Sequence, residues 1–230
     1  MLKIKKFLFP ILMIVAAVFS NFSPSINASA QSNATPDISI VIGFSAQEKI
    51  DATYSLVETG KGTVAPVSAL ALEESTVYTV GGGVTVVTIP LHEEYSLPSN
   101  VTVFFDENNK VLQTNEMLVT KNELGNFQVS TYLNGTLVNS QDSGLAYMTD
   151  EELLAEEPTI QPTGFKEIAG CLAGVLGVGG TTAYIIAIAC GGSCSTPTPV
   201  TATICAACIG AYAAIGGASI GGVVACFALL

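Results

Sequence analysis

Residues 168–230 read IAGCLAGVLGVGGTTAYIIAIACGGSCSTPTPVTATICAACIGAYAAIGGASIGGVVACFALL and contain no charged side chain. Because about 25% of the residues in an average soluble protein are charged, chance does not explain so long a gap. All 19 carboxylates of the 230-residue chain lie before this stretch, and the net charge of the chain is −11. The chain therefore divides into an acidic part and an apolar part that meet different surroundings.

All six cysteines of the chain lie in the charge-free stretch. An even number of cysteines in a small exported module predicts a disulfide framework. Two apolar blocks, 168–189 and 203–230, flank a break that contains two prolines, so we expect a helical hairpin or a small helical bundle. The hairpin favours one disulfide at its outer end and two at its loop end: Cys171–Cys226, and Cys190 and Cys194 with Cys205 and Cys208 in either combination.

Other chemistry is poorly supported by the residue types present. The four loop-end cysteines have a spacing close to that of a zinc site, but export favours disulfides, so no metal or other cofactor is expected. His92 is the one histidine of the chain and precedes two glutamates, yet no second histidine completes a metal motif. No nucleotide fingerprint or paired catalytic carboxylates stand out. We therefore predict no enzyme, while a secreted enzyme or inhibitor with a disulfide-stapled tail is a weaker alternative.

The N-terminal residues have the pattern of a Sec-type signal peptide. Lys3, Lys5 and Lys6 precede an apolar run over 7–19, and a cleavage signal of small residues follows. We expect residues 1–30 to be removed and the protein to be secreted, with an uncleaved anchor as the alternative. Cleavage by signal peptidase is assigned to the residues Ala28, Ala30 and Gln31.

The acidic part over 31–148 is expected to be a β-rich pro-region. Several β-branched runs predict strands: 37–44, 84–91, 101–105, 110–112, 127–133 and 136–138. Asn134-Gly135 lies between the last two runs and is the strongest hairpin signal in the chain. The predicted fold class is therefore α+β, with a small antiparallel sheet, in the simplest arrangement a meander, followed by the helical tail. The acidic balance argues against a nucleic-acid partner.

Residues 149–164 are predicted to be an exposed linker that contains a processing site. Residues 150–157 (DEELLAEE) are compatible with two helical turns capped by Thr149. The helix is then stopped by proline, and an exposed acidic connector is a typical target for a processing protease. The residues assigned to this processing region are Pro158, Pro162 and Gly164.

Two segments of the tail, CLAGVLGVGGTTAYIIAIACGGSC (171–194) and CAACIGAYAAIGGASIGGVVAC (205–226), resemble the C-terminal domain of the halocin C8-like bacteriocin precursor family. The resemblance covers about a quarter of the chain, which has fewer cysteines than the archaeal type member and a core without charge. It implies that residues 165–230 are released as a stable antimicrobial peptide. It also implies that residues from 31 to about 164 bind and neutralise that peptide as an immunity partner.

The leading functional hypothesis is a secreted precursor of a membrane-active bacteriocin. Its expected partners are the membrane of a target cell, its own N-terminal pro-region, signal peptidase and a processing protease. The alternative is a secreted or surface domain that is anchored permanently by a C-terminal two-helix membrane hairpin, because each apolar block is long enough to cross about 30 Å of hydrocarbon.

Overall fold

The β-branched runs of the acidic part form a seven-stranded antiparallel sheet. Strands that follow one another in the chain are neighbours throughout, so the topology is a meander of order β1-β2-β3-β4-β5-β6-β7. The strands are β1 Ser39–Val41, β2 Thr76–Val80, β3 Val84–Pro90, β4 Asn100–Phe105, β5 Val111–Lys121, β6 Asn126–Leu133 and β7 Thr136–Ala146. The α+β class and the antiparallel sheet expected from the sequence are confirmed.

The structure is a computed structural model that describes residues 39–80, 83–157, 165–194, 205, 208, 212 and 220–227. All of them belong to one compact unit, Thr35–Leu230. Two sets of predictions lie outside the described residues: the signal peptide 1–30 with Ala28, Ala30 and Gln31, and the processing residues Pro158, Pro162 and Gly164. We call residues 39–157 the sheet segment and residues 165–227 the cysteine module.

Five helices are found among the described residues. One is inserted between the first two strands, one follows the last strand, and three lie in the described part of the cysteine module. Their bounds are α1 Phe44–Glu58, α2 Asp150–Ala155, α3 Phe165–Leu176, α4 Gly180–Cys194 and α5 Ile220–Phe227. Two short 3₁₀ turns, Val67–Ala69 and Leu72–Glu74, lie between α1 and β2.

The sheet separates two hydrophobic clusters, because successive side chains of a strand point to opposite faces. On β5, Met117 and Val119 belong to the cluster formed with the cysteine module, whereas Leu118 between them belongs to the cluster formed with α1. The protein is therefore built in three layers: α1 with its connections, the sheet, and the cysteine module together with α2.

The predicted hairpin at Asn134-Gly135 is confirmed. Asn134 has a φ of 50° and Gly135 a φ of 74°, which is the pair of positive angles that a two-residue turn between twisted strands requires. Leu133 pairs with Thr136 across the turn. The Asn134 side chain adds a contact to the neighbouring strand, because its Oδ1 accepts a hydrogen bond from the Thr114 N–H at 2.9 Å.

The predicted strand over 37–44 is wrong at its C-terminal end. The described strand ends at Val41, and Phe44 begins α1, a helix that the sequence analysis missed. Gly43, with a φ of 76°, lets the chain turn out of the strand before the helix begins. The helical signal was present in the spacing of the residues that α1 turns inward: Ala46, Ile50, Thr53 and Val57.

The first apolar block does not form one long arm of a hairpin. Gly177 has a φ of 69° and its N–H bonds the Ala173 carbonyl at 2.9 Å, which ends α3 after Leu176. Among the described residues, no helix has by itself the length and hydropathy needed to cross a membrane. Lys166–Leu176 and α4 have that length and hydropathy only when they are taken as a pair, and the two helices are bent by 117° relative to each other. The described part of the tail is thus a set of short helices.

Candidate functional site

The three disulfides all close within the cysteine module. They join Cys171 to Cys226, Cys190 to Cys208, and Cys194 to Cys205, with Cα–Cα distances of 5.5, 5.9 and 5.0 Å. The outer disulfide is the one favoured from the sequence, and the two inner ones are one of the two combinations left open there. The cysteines that suggested a zinc alternative are therefore oxidised, and no thiolate is left among them to bind a metal. No cysteine lies in the sheet segment, so no disulfide ties the module to it.

Helix α4 lies at the centre of the module and is covered on nearly every side. Its buried residues follow one another along the chain instead of forming a stripe: Thr182, Ala183, Ile185, Ile186, Ala187, Ile188, Cys190 and Gly191. A helix that is apolar all round is typical of the interior of a protein or of a membrane. Here α4 contacts α3 and the strands β6 and β7.

The sheet covers the module with four large apolar side chains. Val119, Phe127 and Val129 are fully buried and Met117 nearly so, in one cluster with module residues such as Leu172 and Ile185. Burying a side chain of this size stabilises the folded state by roughly 1.5–3 kcal/mol. The interface between the sheet segment and the module is therefore driven mainly by apolar burial, which has no directional preference of its own.

Tyr212 is a polar anchor of the module on the sheet segment. Its hydroxyl donates to the Pro98 carbonyl at 3.0 Å and accepts from the Asn100 Nδ2 at 3.3 Å, and it lies 2.9 Å from the Met117 Sδ. Burial raises the pKa of Tyr212 above its ordinary range, although the hydrogen bond from Asn100 opposes the rise. The hydroxyl is therefore a neutral donor fixed at one position of the interface.

Glu156 forms a second polar tie, at the beginning of α4. Its carboxylate accepts from the Thr181 N–H at 2.9 Å and from the Thr181 Oγ1 at 3.1 Å. Gly179 and Gly180 precede Thr181 and provide no capping side chain, so a residue of the sheet segment supplies the carboxylate that a helix N-terminus favours. A Cβ on Gly179 would collide with the Glu156 side chain, which explains a glycine at this position.

The connector that precedes the processing region is docked as far as Glu156. Thr149 and Glu152 form a reciprocal capping box at the start of α2, and Leu153 is buried in the module cluster. Asp150 Oδ1 accepts from the Leu97 N–H at 3.1 Å. The expected cap at Thr149 is confirmed. Most residues of α2 are exposed, as expected of the connector, but Leu153 points into the apolar layer.

Sequence reasoning missed Tyr212 and Glu156 as interface residues, and it missed Asp150 as the residue that ties α2 to Leu97 within the sheet segment. Tyr212 had a signal, since a hydroxyl-bearing aromatic in a charge-free segment needs a hydrogen-bond partner when it is buried. Nothing in DEELLAEE distinguishes the carboxylates that reach distant backbone groups from their exposed neighbours. His92, the one histidine of the chain, is exposed and lies 3.0 Å from the Glu74 Oε1, and no cysteine is free to pair with it.

Comparison with protein-family models, with curated proteins and with solved structures finds no match for this chain.

Proposed function

We propose that this chain is an exported precursor from which the cysteine module is released as a membrane-active antimicrobial peptide, with the sheet segment as its leader and immunity partner. The observation that carries the proposal is that all three disulfides close within the module. A single cut between Glu157 and Phe165 would then separate the module without breaking any crosslink, and the contacts that remain are noncovalent.

The sheet segment supports this proposal because it covers apolar surface that would otherwise meet water. Met117, Val119, Phe127 and Val129 pack against module helices that carry no charge beyond Glu167. Once these contacts are lost, the module exposes apolar surface, and burial in lipid is worth about 25 cal/mol per Å². A large exposed apolar patch of this kind is typical of a surface that binds membranes or proteins.

The same surface is the basis for the proposed immunity role. The face of the sheet that holds the module within one chain has the shape and the polar ties to hold a released module as well. Tyr212 and Thr181 on the module meet Pro98, Asn100 and Glu156 on the sheet segment. These few directional contacts make the binding selective for this module over other apolar peptides.

Export is also part of the proposal. Three disulfides are typical of proteins that fold outside the cytosol, and the residues before Gln31 have the pattern of a secretory signal. Mass spectrometry of culture medium tests this directly. We expect a small peptide that contains the module and that gains six hydrogens on reduction of its three disulfides.

The activity is tested by controlled release. Residues 158–164 are replaced by the recognition sequence of a specific protease, the oxidised full chain is purified, and intact, cut and separated samples are applied to a panel of bacteria and to lipid vesicles. We expect the separated module to collapse the membrane potential and stop growth, and the intact chain to do neither. A chain with a scrambled recognition sequence is the matched control.

Two outcomes would count against the proposal. If the separated, oxidised module depolarises neither cells nor vesicles, it is not a membrane-active peptide. If the full-length chain remains in the membrane fraction of the producing cells and no small peptide enters the medium, the alternative of a domain anchored by its C-terminal helices is favoured instead.

A further inference from the structure

The four inner cysteines of the module can form two disulfides in two combinations of similar geometry. Cys190 and Cys194 are four residues apart on α4 and therefore lie on one face of that helix. The structure pairs Cys190 with Cys208 and Cys194 with Cys205. The swapped combination, Cys190–Cys205 with Cys194–Cys208, requires only that the segment with Cys205 and Cys208 run in the opposite direction along α4. A contact other than the disulfides themselves must therefore select the direction of this segment.

The module itself has few means of making that selection. It has no charged side chain after Glu167, and α4 is buried on nearly every side, so no polar face orients it. Apolar contacts do not specify direction. Glycine is also frequent in both apolar blocks, which lowers the intrinsic preference for helix by up to about 1 kcal/mol for each interior glycine.

The position of Tyr212 along α4 indicates the direction of the segment that carries Cys205 and Cys208. Thr182, Ile186, Cys190 and Cys194 are spaced four residues apart along α4, so they form one stripe. Tyr212 lines a cavity of about 170 Å³ together with Thr182 and Ile186. Along the stripe the neighbours are thus Cys205 at Cys194, Cys208 at Cys190 and Tyr212 near Ile186. The three described positions Cys205, Cys208 and Tyr212 therefore follow one another antiparallel to α4.

The sheet segment forms hydrogen bonds both to Tyr212 and to the beginning of α4. The Tyr212 hydroxyl is tied to Pro98 and Asn100, and the Glu156 carboxylate is tied to Thr181 at the start of α4. In the swapped direction Tyr212 would lie toward the far end of α4 and lose both sheet partners. The Pro98 carbonyl and the Asn100 amide would keep their hydrogen bond to each other at 3.2 Å, but the two hydrogen bonds that the Tyr212 hydroxyl makes with them would be lost.

We propose that the sheet segment is a folding template that selects the disulfide pairing of the module, with Tyr212 and Glu156 as positioning residues. A small disulfide such as oxidised glutathione takes two electrons and two protons from each pair of cysteine thiols: one S–S bond forms in the module, the S–S bond of glutathione breaks, and two glutathione thiols leave. Exchange then follows without net oxidation: a cysteine thiolate attacks a mispaired disulfide, one S–S bond forms, another breaks, and a thiolate leaves. The template stabilises one pairing among those that exchange. This role does not depend on whether the released module acts on membranes.

The test is oxidative refolding of the reduced full chain in a glutathione buffer, followed by acid quenching and tandem mass spectrometry of the disulfides. We expect the wild-type chain to form the pairing seen here. For Tyr212→Phe we expect the ratio of swapped to native pairing to rise roughly tenfold, because two hydrogen bonds at a buried site are lost. For Glu156→Gln we expect a smaller rise of roughly threefold, because the amide retains one acceptor oxygen.

Matched controls are available in the same regions. Tyr184→Phe removes a hydroxyl from a half-buried tyrosine of α4, and Glu157→Gln neutralises the exposed neighbour of Glu156; both should refold with the wild-type distribution. A wild-type mixture of pairings would overturn the template role. So would a Tyr212→Phe chain that pairs normally and only loses stability, as measured by denaturation of the oxidised protein. If Tyr212→Phe does not refold, the comparison of Glu156→Gln with Glu157→Gln decides.

Discussion

The two layers that cover the sheet are attached in different ways. On the α1 side, the fully buried carboxylate of Glu116 accepts hydrogen bonds from the Val64 and Ala65 N–H groups at 2.9 Å, and Lys49 Nζ lies 4.8 Å from the centre of the Phe105 ring. On the module side, apolar contacts dominate, and Tyr212 and Glu156 make the polar ties seen among the described residues. The first layer is joined to the sheet by chain connections at both ends, and the cysteine module follows the sheet segment through residues 158–164.

In the proposed function, this difference separates a layer that stays with the sheet from a layer that is released. The module carries its own covalent crosslinks, and the sheet segment has none, because all six cysteines lie in the module. A layer that is internally crosslinked but held to its neighbour by noncovalent contacts can leave without losing its own structure. The hydrophobic cluster between the sheet and α1 consists of residues of the sheet segment, so the proposed release would leave it complete.

The largest effect is expected from reduction of the three disulfides. Removal of a native disulfide costs about 2–5 kcal/mol, so loss of all three should unfold the module while strands β2 to β5 remain folded against α1. Hydrogen exchange with and without reductant measures this for each region. Equal loss of amide protection in the sheet and in the module would contradict the independence of the two layers.

A smaller effect is expected from two neighbouring substitutions on β5. Met117→Ala and Leu118→Ala both remove nearly buried side chains, and each should lower the free energy of unfolding of the full chain by about 2–5 kcal/mol. Only Met117 faces the module, so only Met117→Ala should weaken its retention after the connector is cut. Chemical denaturation measures the free energy of unfolding, and size-exclusion chromatography of the cut protein measures how much of the module is retained.

This pair serves as its own control, because the two residues share a strand and a similar burial. If both variants release the module equally after the cut, the assignment of the two faces to separate layers is wrong. If neither variant does so, the interface depends on residues other than the sheet side chains that line it.

The smallest effect is expected at Glu116. Burial raises the pKa of this carboxyl, although hydrogen bonds from the Ala65 and Val64 N–H groups oppose the rise. Since the folded state then binds the proton more tightly than the unfolded state, this contribution to stability is complete below the ordinary pKa of about 4.5 and is lost as the pH rises through the folded pKa.

Glu116→Gln should therefore reduce the decline in unfolding free energy between pH 4 and pH 7. At neutral pH the substitution should also cost about 1–2 kcal/mol, because glutamine has one acceptor oxygen for two loop N–H groups. Urea denaturation over a series of pH values measures both effects. Glu123→Gln, at an exposed position in the β5–β6 turn, is the control, and an equal change of slope in that variant would remove Glu116 as the cause.

The predictions that held from sequence concern features encoded by neighbouring residues. The Asn134-Gly135 turn and the Thr149 cap depend on residues within a few positions of one another, so local geometry determines them. The break at Gly177 was also local, but the predicted apolar block extended across it. Hydropathy is the same on both sides of the break and does not show that the chain turns there. Helix α1 was missed because its strand-like first residues concealed the helical spacing that follows.

The sequence by itself determined that an acidic sheet-forming part precedes a charge-free part with six cysteines, because composition and short-range patterns are properties of the chain alone. Only the tertiary structure decided that Tyr212 reaches Pro98, that Glu156 caps α4, and which of the two inner disulfide combinations forms. These contacts join residues from 25 to 114 positions apart, apart from the inner disulfides at 18 and 11. They depend on which surfaces pack together once apolar burial has brought the layers into contact, and local sequence patterns do not predict that packing.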